Sequence, residues 1–250
     1  MSAPNPATPT SSAPFTASAH AHDGKTHLLL AATGSVATIK LPLIARTLSD
    51  AHATSLSIRI LLTPSATHFL AGQSAEQPRL ATLLELPAVD AIHTDAEEWT
   101  PAWTRGAPIL HIELRRWADV MLVAPLSANS MAKMVGGWAD GLVLSVLRAW
   151  DTDGLVEVGE NGERGGMGRK KRVLVAPAMN TAMWRHPVTE RQMGILEREW
   201  GVDVGGWVEV LRPVEKELAC GDTGDGAMRD WREIVRVVEQ GLGLVKGKEG

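Results

Sequence analysis

Residues 119–131 read DVMLVAPLSANSM, and residues 172–183 read RVLVAPAMNTAM. Each stretch opens with a continuous apolar run, reaches Ala-Pro, adds a short polar cluster and passes into a helical pattern. A run that is apolar at every position, not at alternate ones, marks a strand buried on both faces. The same grammar appears twice upstream. Residues 27–32 (HLLLAA) break at Thr33-Gly34-Ser35, and apolar residues at helical spacing follow over 39–48. Residues 57–62 (SIRILL) break at Thr63-Pro64-Ser65, with a short helix expected over 66–70. Strands of this kind separated by helices predict an α/β fold, a doubly wound and mostly parallel sheet with helices on both faces. Ligands of such sheets sit at the carboxyl ends of the strands. Four loops are therefore expected to converge there: residues 33–36, 63–65, 125–130 and 177–180.

Around that framework the composition is that of a globular protein. The chain has 250 residues, 44% of them hydrophobic and 22% charged. The net charge of -4, with basic clusters only at Arg115-Arg116 and over 169–172, argues against a nucleic-acid partner. No apolar run approaches the roughly 18–20 residues needed to cross a bilayer. No charged segment followed by an apolar one opens the chain, so neither a membrane span nor secretion is expected. A single cysteine fits a reducing, cytoplasmic setting. Residues 1–24, rich in Ala, Pro, Ser and Thr, predict a disordered tail, with order beginning near Lys25. One domain is expected over 25–240. Residues 153–170 carry six glycines and predict a flexible surface insertion. A C-terminal helix over 230–240 has its apolar stripe at Trp231, Ile234, Val235 and Val238, and residues 241–250 read as a frayed end.

The loops differ in what they offer. Gly34-Ser35 opens a helix, and N–H groups at a helix start beside a hydroxyl suit a phosphate. No G-x-G-x-x-G accompanies them, and an ordinary tight turn accounts for them equally. Ser127, Asn129 and Ser130 carry donors and acceptors, with Asn129 or Ser130 placed to cap a helix starting near Met131. Asn180 can donate to a carboxylate. Met179 and Met183 suit either an apolar pocket wall or core filling. His111 is suited to proton transfer, or to a structural role. Glu113, Arg115 and Arg116 would orient it, bind an acid or form surface ion pairs. His186 is assigned no chemistry. Cys220 lies in residues 219–228 (ACGDTGDGAM), too polar and glycine-rich for core. It is either incidental or a reactive thiol on a mobile loop. No Cys/His spacing suits zinc and carboxylates do not cluster with histidines, so no metal is expected.

Residues 33–40 (TGSVATIK), 111–129 (HIELRRW through PLSAN), 177–180 (PAMN) and 219–222 (ACGD) occur in this order. Together they resemble the homo-oligomeric flavin-containing cysteine decarboxylases, in the branch that acts on phosphopantothenoylcysteine, over residues 25–240. The resemblance implies a flavodoxin-like fold, FMN as cofactor, and a homotrimer with active sites between subunits. It places the flavin against Gly34, Ser35, Val36, Thr63, Ser65, Ser127, Ala128, Asn129, Ser130 and Ala178. It makes His111 and Cys220 catalytic. It assigns substrate binding to Asn180, Met183, Ala219 and Gly221, with Cys220 on a substrate flap over 212–229. The implied reaction converts 4'-phosphopantothenoylcysteine to 4'-phosphopantetheine for coenzyme A, through transient oxidation to a thioaldehyde, loss of carbon dioxide and re-reduction. Relatives on this scaffold also include inhibitory subunits of Ser/Thr protein phosphatases and decarboxylases of peptidyl cysteine. A paralogous partner that completes the site is a further possibility within the family. The departure from the family pattern is the insertion at 153–170.

Overall fold

The structure, a computed structural model, describes residues 14–100, 102–156, 170–217 and 223–244. Its centre is a six-stranded sheet in the order β5-β2-β1-β6-β7-β8. The strands are β1 (Thr26–Ala32), β2 (Leu56–Leu62), β5 (Val89–Thr94), β6 (Val120–Leu126), β7 (Arg172–Pro177) and β8 (Val208–Val210). All neighbouring pairs are parallel. Two antiparallel pairs lie outside it: β3 (Ala71–Ser74) with β4 (Gln77–Arg79), and β9 (Val214–Glu217) with β10 (Thr223–Ala227).

Both faces of the sheet are covered, as continuous apolar strands require. Leu28, Leu30 and Ala32 of β1 pack with Val120, Leu122 and Ala124 of β6 on one face. That face is closed by α1 (Leu41–His52) through Leu41, Ile44 and Leu48, and by α8 (Trp231–Gly241) through Ile234, Val235 and Val238. The intervening Leu29, Ala31, Met121 and Val123 face the other side. There they meet α3 (Leu110–Trp117), α4 (Ala128–Val135), α5 (Leu142–Arg148) and α7 (Pro187–Gly194). Burial of each such leucine contributes about 1.5–3 kcal/mol. The two remaining helices, α2 (Pro64–Thr67) and α6 (Thr181–Trp184), are single turns after strand ends. The chain leaves β1 toward β2 and β5, then returns across β1 to β6. The loops after β1 and β6 therefore part at a switch point, where a crevice forms.

Several boundaries depart from expectation. Order begins before Lys25: residues 17–20 form a 3-10 turn, and Phe15 packs on the α3 side of the core. The segment lies over a buried cation. Arg59 on β2 is 8% exposed; its guanidinium lies 3.8 Å from the Phe15 ring centroid and 3.2 Å from His93 Nε2. Burial pulls Arg59 down to about 10, with Asp90 partly opposing that fall. Phe15 thus covers a charge that the sheet cannot expose to water. The helix expected over 66–70 is shorter and begins at Pro64. Strand β6 runs past Ala124 through a cis Ala124–Pro125 peptide to Leu126, and α4 starts at Ala128. At the expected insertion, Asp151 accepts N–H bonds from Gly154, Leu155 and Val156; residues 157–169 lie outside the described residues. Among the described residues no helix is long and apolar enough to cross a membrane.

Candidate active site

Thr33, at the end of β1, draws two of the expected loops together. Its hydroxyl donates to the Pro125 carbonyl at 2.9 Å and accepts the Ser127 N–H at 2.7 Å. The sequence places Thr33 in the first of the four loops, directly after an apolar strand, but assigns it no role. Ser35 then opens the 3-10 turn Val36–Lys40, its hydroxyl accepting from Ala37 N–H. Val36 beside it is 48% exposed. Thr63 caps α2 through Ala66 N–H. Ser127, rather than Asn129 or Ser130, caps α4, because the helix begins three residues earlier than its apolar pattern predicts. Its hydroxyl also donates to that of Ser130 at 3.2 Å.

These loops border a cavity of about 280 Å³, lined by Gly34, Thr63, Ser65, Ser127, Asn129 and Ser130, with Asp95, Lys133, Asp140 and Gly141. Three of the four expected loops meet here. Lys133 is the cation among the described lining residues and pairs with Asp140. Asp95 accepts the Leu142 N–H at 2.9 Å. A Cβ on Gly34 would stand 2.5 Å from Ser65 Cβ, so the absence of a side chain lets the loop after β1 close against Ser65 at the cavity wall. The hydroxyls of Thr63, Ser65, Ser127 and Ser130, the Asn129 amide and the Lys133 ammonium, with Asp95 and Asp140 already tied to Leu142 N–H and Lys133, form a polar cradle that fits a phosphate-bearing cofactor.

The fourth loop borders a different cavity, of about 400 Å³, lined by Ala128, Ala132, Asn180, Met183, His186, Val188, Thr189 and Gln192. The first turns of α4 are the shared wall: Asn129 and Ser130 line the first cavity, Ala128 and Ala132 the second. Ala178 is buried beneath, its N–H donating to the Leu126 carbonyl at 3.0 Å. Asn180 Oδ1 caps α6 by accepting the Met183 N–H at 2.9 Å, which leaves its amide NH₂ to donate. Met179 is core, at 9% exposure, whereas Met183 is 49% exposed at the groove. His186 caps α7 with Nδ1 and lines the same groove.

Strand β10 abuts this loop. Met179 N–H donates to the Gly226 carbonyl at 3.0 Å, and Arg185 pairs with Asp225 at 3.1 Å. Ala219, Cys220 and Gly221 lie outside the described residues. The strands on either side of them, β9 and β10, pair antiparallel, Thr223 opposite Glu217.

His111 sits in the first turn of α3 and lines neither cavity. Its Nδ1 meets Glu98 Oε1 in a short contact. Glu113 does not orient it. That carboxylate binds Arg116 and the Ala17 N–H, tying α3 to the N-terminal turn. Carboxylates do pair with histidines here: Asp23 with His27, Glu239 with His52, Glu97 with His93 and Glu98 with His111. Partners distant along the chain, such as His52 and Glu239, leave no local pattern to read. Among the described residues none of these pairs grows into a group of three placed to hold a metal.

Residues 16–243 match the family described as Flavoprotein. The phosphopantothenoylcysteine decarboxylase of Mus musculus is 38% identical over 227 residues, covering 91% of this chain and 92% of that protein. A probable thymidylate synthase of Schizosaccharomyces pombe is 39% identical over 222 residues, covering 89% of this chain; the match spans 30% of that protein. Among solved structures, a cysteine-to-serine variant of PPC decarboxylase complexed with pantothenoylaminoethenethiol superposes with a TM-score of 0.66 at 36% identity, covering 86% of this chain and 97% of that one. The FMN binding protein AtHal3 superposes with a TM-score of 0.65 at 36% identity, covering 89% and 99%.

Proposed function

Because this chain belongs to the flavoprotein family, among the phosphopantothenoylcysteine decarboxylases, we propose that it decarboxylates 4'-phosphopantothenoylcysteine to 4'-phosphopantetheine with FMN, a step of coenzyme A biosynthesis. The observation that carries this reading is the shared wall at the start of α4. A cradle suited to a flat phosphate-bearing group lies on one side of it, and a methyl-lined groove headed by Asn180 on the other.

Loss of carbon dioxide from a cysteinyl carboxylate is slow because the departing electron pair has no acceptor. FMN, held by Gly34, Ser35, Val36, Thr63, Ser65, Ala178 and residues 127–130, would supply a reversible two-electron sink, so that the sulfur-bearing carbon passes through a thioaldehyde and is reduced again with no net oxidation. The chain's own groups bind, orient and move protons. The Asn180 amide NH₂ donates to the substrate carboxylate and holds it for departure. Met183 covers the reacting end against water. His111 manages the thiol proton through Nε2. The Cys220 thiol delivers a proton to carbon as the enethiolate becomes the saturated product, with Ala219 and Gly221 carrying it on the flap that closes over the groove.

His111 lies outside the groove that Asn180 heads, and this supports an active site completed between copies of the chain; the assembly proposed is a homotrimer. The test is turnover of phosphopantothenoylcysteine by the purified FMN-loaded chain, followed by mass detection of product and by mass in solution. Product formed equally well after complete removal of flavin would overturn the proposal.

A further inference from the structure

We propose that Glu98 is the positioning residue for His111: its carboxylate holds the imidazole as the Nδ1–H tautomer and leaves Nε2 as the nitrogen presented to substrate. The inference rests on His111 acting at the reacting centre, as proposed above. The Glu98 side chain is 4% exposed and that of His111 is 21% exposed. An ionised carboxylate can only accept a hydrogen bond, so the ring nitrogen facing it carries the proton. The other nitrogen is then the one open to proton exchange, the logic of every histidine held by a buried acid.

Glu98 is itself held in place. It follows the 3-10 turn Asp95–Glu97, and that turn is anchored on both sides. Asp95 accepts the N–H of Leu142 at the wall of the cofactor cavity. Glu97 is taken by His93 Nδ1 at 2.9 Å, and His93 Nε2 meets Arg59. Glu97 is thereby committed elsewhere, and Glu98 is the neighbour directed at His111. The histidine's orientation and the cavity wall thus depend on one short segment.

The experiment follows His111 by ¹⁵N NMR in the FMN-loaded protein at about pH 9, where an ordinary imidazole is neutral. The parent is expected to show the Nδ1–H tautomer, and Glu98→Ala to lose it. Glu98→Ala should lower kcat about 10-fold or more with KM and flavin content unchanged. Glu98→Gln, whose amide oxygen accepts the same N–H, should keep the tautomer and recover part of the loss. In a His111→Asn background, Glu98→Ala should change the residual rate by less than about twofold, since groups acting as a unit are not additive. An Nε2–H tautomer in the parent would overturn the proposal even if the alanine variant failed to fold. So would equal losses from Glu98→Ala with and without His111, which would mark a purely structural role. Failure of the parent to turn over phosphopantothenoylcysteine would instead refute the assigned reaction, and the tautomer measurement would stand apart from it.

Discussion

Gly34 and Ser65 approach so closely that a methyl group on the glycine would lie 2.5 Å from Ser65 Cβ. The segments that follow two neighbouring parallel strands thus touch, the Gly34 backbone against the Ser65 side chain. Gly34→Ala must push the loops apart, because the obstructing atom is next to backbone and cannot swing away. The variant is expected to fold but to bind FMN about 10-fold or more weakly. Flavin fluorescence titration of the stripped protein measures this; unchanged affinity would refute the cradle.

At the groove, a Cβ on Gly226 would stand 2.3 Å from the Met179 carbonyl and 3.2 Å from Trp184 Cβ. Gly226→Ala should lift β10 away from Asn180. Displacements of this size at a reacting centre cost on the order of 10- to 100-fold. Turnover is expected to fall by that factor while flavin stoichiometry stays that of the parent. Loss of both together would place β10 in flavin binding instead.

Cys220→Ser replaces the thiol acid by a far weaker one. Decarboxylation is expected to proceed and the saturated product to be lost, with an unsaturated thiol two mass units lighter accumulating instead. Mass analysis of a single turnover distinguishes the two. Normal product at the parent rate would remove Cys220 from the mechanism.

Ser127 is both a helix cap and a member of the cavity wall. Ser127→Ala leaves Ser130 N–H without its hydroxyl partner, at about 1 kcal/mol. For a domain of this size the melting temperature is expected to fall by about 2–4 °C. Thermal unfolding of the flavin-free protein reads the cap alone, without the contribution of bound ligand.

Burial pushes the Asp23 carboxyl up, but the Lys25 N–H and the His27 ring pull it further down, so it titrates below the ordinary 3.8. A depressed acid contributes stability that is present above its unfolded value and disappears as pH falls through the folded one. Asp23→Asn should therefore lower the melting temperature at pH 7, and the difference from the parent should vanish under acid below both values. A difference that persisted or grew in acid would refute the assignment.

Much of this architecture is local and was legible as such. The runs at 27–32, 57–62, 119–124 and 172–176 became strands β1, β2, β6 and β7. The α8 stripe of Ile234, Val235 and Val238 is buried as its spacing requires. Other features resisted a local reading. The N-terminal segment is poor in apolar residues, yet Phe15 packs over Arg59, 44 positions away on β2. Glu98 is another, since nothing in its immediate neighbourhood marks it as the partner of His111, 13 residues away.

By itself the sequence determined which residues seek burial, and hence the strands, the fold class and the set of strand-end loops carrying Gly34, Ser127 and Asn180. Those properties depend on each residue and its immediate neighbours. Only the tertiary structure decided that Gly34 would touch Ser65, that Glu98 would hold His111, and that two cavities would share the start of α4. Such contacts arise where crossover connections bring distant segments into register, and the energy that selects them belongs to the pair, which no local pattern of hydrophobicity records.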